Sequence, residues 1–135
     1  MLFRSVAGAP GWGGVEATGR RVVSLGFRSD EELAGLYRSA SAFVYPSLFE
    51  GFGMPVVEAM ACATPCVVSS HPSLDEACGD AAVRVDPSDA DAIADGVRRA
   101  LAERDSLTTR GLEHARRFTW RANGRAHLDA WMSAR

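Results

Sequence analysis

Two glutamates with seven residues between them bracket a glycine-rich loop, and their types and spacing suit the binding of a polar ligand. The stretch from Glu50 to Glu58 reads Glu-Gly-Phe-Gly-Met-Pro-Val-Val-Glu. Gly51 and Gly53 allow backbone angles and a close approach that a side chain would block. Pro55 suits the first position of a helix, where its missing N–H costs nothing. The N-terminus of such a helix offers free amides and a partial positive charge, which favour a phosphate.

The flanking segments predict where these groups lie. The apolar run 42–45 predicts a strand that ends at Pro46, and the apolar run 56–63 predicts a helix. One carboxylate would therefore lie at the mouth of the loop and the other about one turn into the helix. Carboxylates accept hydrogen bonds from hydroxyls, so the pattern favours a ligand with a central phosphate and hydroxyl-rich ends, such as a nucleotide-sugar. The alternative is an ordinary turn before a helix whose dipole favours a glutamate.

Strands alternate with helices along the chain, which predicts an α/β fold with a Rossmann-like parallel sheet and helices on both faces. The predicted strands cover about residues 2–7, 21–26, 42–46, 65–69 and 82–85. The predicted helices cover about residues 30–40, 89–104, 106–116 and 119–134, with another from residue 55 and a short one after residue 72. Ser29 or Asp30 is expected to cap the first of these helices.

Size and composition describe one ordinary globular domain over residues 1–135. Hydrophobic residues make up 47% and charged residues 24% of the chain, and its net charge is −2. This balance argues against nucleic acid or an anionic membrane as a partner. No apolar run reaches the roughly 18 residues of a transmembrane segment.

Three cysteines, Cys62, Cys66 and Cys78, have a spacing that fits no common zinc site, and an odd number argues against a disulfide framework. We expect them to be small buried side chains. Free thiols predict a reducing compartment, and hence a cytoplasmic location that is at most peripheral to a membrane.

Other polar residues are candidates for more modest roles. Asp89 and Asp91 form an Asp-x-Asp that could hold a metal, but they open a strong helical pattern and are expected to cap it. His71 follows a strand end, where such folds bind ligands; it either lines a site or makes only local hydrogen bonds. His114 and His127 lie on late helices and are expected at the surface.

The residues around the two glutamates resemble a known family. Glu50-x7-Glu58, with Gly-Phe-Gly-x-Pro inside, resembles the E-x7-E signature of the family-4 retaining glycosyltransferases of the GT-B fold. The similarity extends to residues 23–27, 29–33, 36–40, 45–47, 58–61 and 79–87. It implies the C-terminal, donor-binding domain of such an enzyme. Because a GT-B enzyme has two Rossmann-like domains, the resemblance also implies a chain truncated at its N-terminus.

The resemblance implies a role for each residue of the motif. Glu50, the predicted catalytic residue, would contact hydroxyls of the donor sugar, and Glu58 would accept hydrogen bonds from the ribose. Phe27 and Arg28 would contact the base through main-chain groups. The loop and the first helical turn would hold the sugar and the diphosphate, through Gly51, Phe52, Gly53, Met54, Pro55 and Val57. The donor would be a UDP- or GDP-linked hexose of the mannose or glucose type, transferred with retention and without a metal or other cofactor.

The resemblance also implies components outside this sequence. The family uses an Arg and a Lys on a loop upstream, this sequence has no Lys, and acceptors bind in the other domain. We therefore expect the isolated chain to be inactive as a transferase. Phe118, Trp120, Leu128 and Trp131 would pack either on that other domain, a second chain or another copy, or back onto their own domain.

Three other functions remain open. The chain could be a non-catalytic module that binds a nucleotide-sugar, or a remnant that acts only through a partner. A sugar-nucleotide epimerase of the GT-B fold is disfavoured by the E-x7-E pattern.

Overall fold

The computed structural model describes residues 4–8 and 21–134, in which strands and helices alternate. The strands are β1 (Arg4–Ala7), β2 (Val22–Gly26), β3 (Phe43–Tyr45), β4 (Cys66–Ser69) and β5 (Ala82–Val85). The helices are α1 (Asp30–Ser39), α2 (Met54–Ala61), α3 (Asp75–Cys78), α4 (Ala90–Ala102), α5 (Arg104–Ala115) and α6 (Trp120–Ser133), with a 3₁₀ turn at Pro72–Leu74. All strand pairs are parallel, so the α/β class is confirmed. Residues 2 and 3 of the predicted first strand lie outside the described residues.

The chain divides into two compact units, Met1–Leu36 and Tyr37–Arg135, with the boundary inside α1. The first unit contains the β1–β2 pair and the start of α1. There Ser29 Oγ accepts the Glu32 amide at 3.3 Å, and the Glu32 carboxylate accepts the Ser29 amide at 2.9 Å. This reciprocal pair is a capping box, and it identifies Ser29 as the cap. One domain over residues 1–135 stays a prediction.

The second unit is built on the three-stranded sheet β3-β4-β5, which has helices on both faces. On one face α4 approaches closely at Gly96, where a Cβ would lie 2.5 Å from Val85 and 2.9 Å from Val67. Cys66 is the neighbour of Val67 on β4 and points to the other face, where its thiol lies 3.9 Å from the carbonyl of Val56 on α2. Only glycine allows α4 to lie this close to the sheet.

One hydrophobic cluster in the core of this unit lies between α4, α5 and the sheet. It consists of the buried residues Val67, Val83, Val85, Ala100 and Leu107, with Ala42, Ile93 and Val97 packed against them. Every residue of β4 is buried. A central parallel strand that is covered on both faces needs such a continuous apolar run.

The cysteines are free and serve packing. Cys66 and Cys78 are buried and Cys62 is half-buried. Burial raises the pKa of the Cys66 thiol to about 12 and raises the pKa of Cys78 as well. Both thiols are therefore protonated at neutral pH, which confirms the expectation of small buried side chains for these two.

The α5 helix crosses the amino-terminal edge of the second sheet. Arg104 donates a hydrogen bond of 2.8 Å to the carbonyl of Ser41, before β3, and Arg110 donates to the carbonyl of Asp80, before β5. The loops that follow the strands therefore occupy the opposite, carboxyl-terminal edge, where ligands bind in open parallel sheets.

His114 is not at the surface, so the prediction for it was wrong. Its side chain is only 8% exposed. Its Nε2 lies 3.1 Å from the carbonyl of Glu76 on α3, and its ring meets Phe118 edge-on at 5.2 Å. The burial depends on α3 and on the chain beyond α5, neither of which can be inferred from the α5 sequence. His127 is exposed, as predicted.

No described residue of α6 is buried. Trp120 is 89% and Trp131 73% exposed, so this helix does not bury its large apolar side chains against its own unit. Phe118, just before α6, is half-buried against Phe52 with ring centroids 5.4 Å apart. Neither α6 nor any other helix in the described part of the chain is long and apolar enough to cross a membrane.

Candidate functional site

The two glutamates of the motif lie on the loop and helix that follow β3. Glu50 lies on the loop between β3 and α2, and Glu58 lies on α2 itself. The amide of Glu50 donates a hydrogen bond of 3.1 Å to Ser73 Oγ, in the 3₁₀ turn that follows β4. This bond joins the loops after two neighbouring parallel strands, so the motif lies at the carboxyl-terminal edge of the sheet.

Glu50 is half-buried and is oriented by Tyr45, the last residue of β3. The Tyr45 hydroxyl donates to Glu50 Oε1 at 2.7 Å. Burial, together with the hydrogen bond and the charge of Glu50, raises the pKa of Tyr45 to about 12. Tyr45 therefore remains a hydrogen-bond donor at neutral pH. No residue in the described ranges pairs with Glu50 Oε2, which leaves that oxygen able to accept a further hydrogen bond.

Glu58 is exposed and accepts a hydrogen bond from Tyr37 at its Oε2, at 3.3 Å. Tyr37 is buried, and its carbonyl accepts a bond of 2.6 Å from Thr64 Oγ1. Burial and then the charge of Glu58 raise the pKa of the Tyr37 hydroxyl well above its usual range. Tyr37 therefore holds Glu58 at one carboxylate oxygen, although Glu58 as a residue is exposed.

The two tyrosines are joined by an aromatic row. The ring of Phe43 meets Tyr37 edge-on at 5.2 Å and stacks on Tyr45 at 5.7 Å. Tyr37 and Tyr45 are the chain's two tyrosines, and each donates to one glutamate of the motif. The spacing of the two carboxylates is therefore supported by packed side chains as well as by the backbone between them.

The N-terminus of α2 is shaped by Gly53, which has φ +93° and caps the helix without any side-chain hydrogen bond. A Cβ there would lie 2.4 Å from Leu74 Cδ2. Gly51 has no positive φ, and a Cβ there would meet nothing within 4 Å, so the fold requires glycine at Gly53 but not at Gly51. Pro55 lies in the first turn, as expected. Pro55 has no N–H and the Val56 amide donates to the Gly53 carbonyl at 2.9 Å, so the anion-binding donors at this helix start are the Met54 amide and those of the loop before it.

Phe27 and Arg28 belong to the first unit and are described within it. The Phe27 side chain is 85% exposed. The Arg28 guanidinium donates from Nε to the carbonyl of Leu25 at 3.0 Å and from Nη1 to Glu32 at 3.3 Å. This side chain is therefore engaged within its own segment, and the predicted contacts with a base stay predictions.

Asp89 caps α4, as expected. Its Oδ1 accepts the amides of Asp91 at 2.9 Å and Ala92 at 3.1 Å. Among residues 4–8 and 21–134, no group of three or more His, Cys, Asp or Glu side chains is arranged to hold a metal ion.

Tyr37, Tyr45 and Ser73 position the glutamates and were not among the predicted site residues. Tyr37 lies in a predicted helix and Tyr45 in a predicted strand, and both belong to segments that resemble the family, but neither was given a role in the site. A hydroxyl-bearing aromatic among apolar neighbours is the one signal available, because a buried phenol needs a partner. Ser73 carries no such signal, since it meets Glu50 across 23 residues of sequence.

Fold and motif together define a domain of a GT-B glycosyltransferase. The chain belongs to the family of glycosyl transferases group 1, whose model matches residues 16–124.

Three similar proteins illustrate the relationship. The O-antigen chain mannosyltransferase B of Escherichia coli is 46% identical over 99 residues, which cover 71% of this chain and 26% of that protein. The D-inositol 3-phosphate glycosyltransferase of Salinispora tropica is 36% identical over 119 residues, covering 84% and 25%. A sucrose-phosphate synthase structure from Thermosynechococcus elongatus superimposes with a TM-score of 0.70 and 32% identity, covering 86% and 31%. The chain therefore spans about a quarter of the length of these curated relatives.

Proposed function

We propose that this chain is the donor-binding part of a retaining glycosyltransferase that transfers a mannose- or glucose-type hexose from a UDP- or GDP-linked donor. The observation that carries the proposal is the arrangement around α2. Glu50 and Glu58 each accept one tyrosine hydrogen bond through one carboxylate oxygen. Between them in sequence lies a helix start that no side chain caps. This arrangement offers acceptors for hydroxyls around a site for an anion.

Each group has a role that follows from its chemistry. The amides at the start of α2 stabilise the diphosphate, because they carry the positive end of the helix dipole. Glu58 accepts hydrogen bonds from the ribose and Glu50 from the transferred sugar. The backbone from Gly51 to Val57 shapes the cradle, and Phe27 and Arg28 contact the base through main-chain groups. The names of the mannosyltransferase relatives support a hexose of this type.

Catalysis in this proposal depends mainly on stabilising the departing diphosphate. Negative charge develops on the phosphate oxygens as the bond to the sugar breaks, and oriented amides stabilise that charge without having to reorganise. The acceptor binds to the other domain of the fold, so we propose that the chain alone binds its donor without transferring the sugar. If mass spectrometry detected transfer of the sugar by the purified chain, this last point would be contradicted.

Calorimetric titration with UDP and with GDP tests the proposed site. We expect one nucleotide to bind with a dissociation constant below about 1 mM, a free energy of about −4 kcal/mol or better. Glu58→Ala should weaken that binding by about 2 kcal/mol, roughly 30-fold, because hydrogen bonds to a charged group are lost. Glu113→Ala, at an exposed glutamate on α5, is the matched control and should bind like the parent chain.

Two other results would redirect the proposal. If neither nucleotide binds a chain that is folded by circular dichroism, the donor site is not assembled in this chain. If a nucleotide binds but no transfer occurs when the other GT-B domain of a relative is added, a non-catalytic binding module is the better description.

A further inference from the structure

We propose that His71 is a positioning residue for Glu50 and acts through Ser73. The proposal rests on the proposed function only in taking Glu50 as the contact to the transferred sugar. His71 follows β4 and caps the 3₁₀ turn Pro72–Leu74. Its ring meets that of Phe49, the neighbour of Glu50, edge-on at 5.6 Å, and its link to Glu50 itself is a chain of hydrogen bonds through Ser73.

The ring of His71 acts as an acceptor in this chain. Its Nδ1 accepts the amide of Ser73 at 3.1 Å and lies 2.9 Å from Ser73 Oγ. A ring nitrogen that accepts a backbone N–H carries no proton itself, so a neutral His71 has its proton on Nε2.

Ser73 relays this interaction to the glutamate. Its Oγ accepts the amide of Glu50 at 3.1 Å, and its hydroxyl donates to Nδ1 of His71, where it shares the single ring lone pair with the Ser73 amide. The order of donation is therefore from the Glu50 amide to Ser73 Oγ, and from the Ser73 hydroxyl to His71. This path ties the loop after β3 to the turn after β4.

His71 is itself anchored to the sheet. Its amide donates to Oγ of Ser69, the last residue of β4, at 3.1 Å. Its carbonyl accepts a bond of 2.8 Å from Arg84 on β5, and the same guanidinium pairs with Asp75 at 2.8 Å. The loop that carries Glu50 is thus held against a residue fixed by two neighbouring strands.

This attachment matters because it restrains Glu50 at a second point. Tyr45 holds the carboxylate at Oε1, and Ser73 holds the backbone amide of the same residue. If one of these bonds is lost, the loop can rotate about the bond that remains. Contacts to a reacting sugar are sensitive to such displacements, so loss of the backbone bond should affect the sugar more than the nucleotide.

Two substitutions separate this role from a direct contact between His71 and the ligand. His71→Asn places an amide oxygen close to the position of Nδ1 and keeps the acceptor, since Asn is also a favourable capping residue. His71→Gln places its amide near Nε2 and loses the acceptor at Nδ1. Positioning predicts that Asn preserves function and Gln does not, whereas direct contact through Nε2 predicts the reverse.

The experiment compares a nucleotide with its sugar conjugate by calorimetry, using UDP against UDP-glucose and GDP against GDP-mannose. The dissociation constant of the nucleotide divided by that of its sugar conjugate measures the contribution of the sugar to binding. We expect His71→Gln and Ser73→Ala to reduce that ratio by about three- to tenfold, the effect of losing one hydrogen bond, while the nucleotide alone binds nearly as before. His71→Asn, and the matched controls His127→Gln on α6 and Ser70→Ala, should leave the ratio unchanged.

A second measurement needs no ligand. Hydrogen exchange of the Glu50 amide should be about tenfold faster in His71→Gln and Ser73→Ala, and unchanged in His71→Asn, because only the first two lose the path that protects the amide. If nucleotides fail to bind, the proposed function fails while this measurement still decides the positioning role. Unchanged exchange and an unchanged sugar ratio in both variants would overturn the proposal, as would loss of the sugar contribution in His71→Asn alone.

Discussion

Glu50 and Glu58 are the two ends of one motif, yet the protein holds them in different ways. Glu50 lies on a loop, is half-buried, receives a hydrogen bond of 2.7 Å from Tyr45 and is tied through its amide to Ser73. Glu58 lies on α2, is exposed, and receives a longer bond of 3.3 Å from Tyr37. A helix fixes the direction of its side chains by backbone geometry, whereas a loop residue needs tertiary hydrogen bonds. The glutamate on the less regular element therefore has the stronger partners.

The difference also determines which changes affect each end. Glu58 depends on the start of α2, and hence on the packing of Gly53 against Leu74. Glu50 depends on Tyr45 and on the turn after β4. Substitutions at these supports should therefore separate effects on the helix from effects on the loop.

The largest effect is expected at Gly53. Gly53→Ala puts a Cβ 2.4 Å from Leu74 Cδ2 at a residue with φ +93°. Left-handed strain and overpacking together should lower the free energy of unfolding by about 3 kcal/mol, measured by urea denaturation. Gly51→Ala is the control, because a Cβ there meets nothing within 4 Å, and it should stay within about 0.5 kcal/mol of the parent chain. Equal destabilisation of the two variants would show that Gly53 does not define the start of the helix.

The next largest effect is a difference in nucleotide-sugar binding between variants of the two tyrosines. Tyr45→Phe removes a short bond to a half-buried carboxylate and should weaken binding of a nucleotide-sugar by about 1.5 kcal/mol, roughly tenfold. Tyr37→Phe removes a longer bond to an exposed carboxylate and should cost about 0.5 kcal/mol or less. Calorimetry on both variants measures the difference. A larger loss in Tyr37→Phe than in Tyr45→Phe would reverse the comparison between the two ends.

The last effect is absent at neutral pH and appears only as a dependence of stability on alkaline pH. The folded chain raises the pKa of Tyr45 to about 12 and raises the pKa of Tyr37 also, against a reference near 10. A raised folded pKa contributes stability that is present below about pH 10 and is lost as the pH rises through the folded pKa. Near-ultraviolet absorbance should therefore show tyrosinate near pH 10 in the urea-unfolded chain and only at higher pH in the folded chain. Coincident titration curves would indicate that neither hydroxyl is held.

Much of the fold follows from local patterns. Short apolar runs predicted the strands, most clearly β4, whose residues are all buried. Ser29 and Asp89 marked helix starts because their side chains satisfy amides that the helix leaves free. The strand–loop–helix pattern around residues 50–58 placed both glutamates correctly on their elements. These features depend on neighbours within a few residues, so the sequence displays them directly.

The remaining features depend on contacts between distant segments. His114 was expected at the surface and is buried, because its partners lie on α3 and beyond α5. Similarly, the exposure of Trp120 and Trp131 on α6 reflects the lack of a surface on its own unit that covers them, which helical periodicity cannot show.

The sequence by itself determined the family, the alternation of strands and helices, and the pair of carboxylates around a helix start. Each of these features depends on the types of residues that lie close together in the sequence. Only the tertiary structure decided that each tyrosine donates to one of the two glutamates, that Ser73 accepts the Glu50 amide and lies within hydrogen-bond distance of His71, and that Gly53 rather than Gly51 is sterically required. These facts arise where parallel strands bring separate loops to one edge, and hydrogen bonds and close contacts there join residues that no local pattern connects.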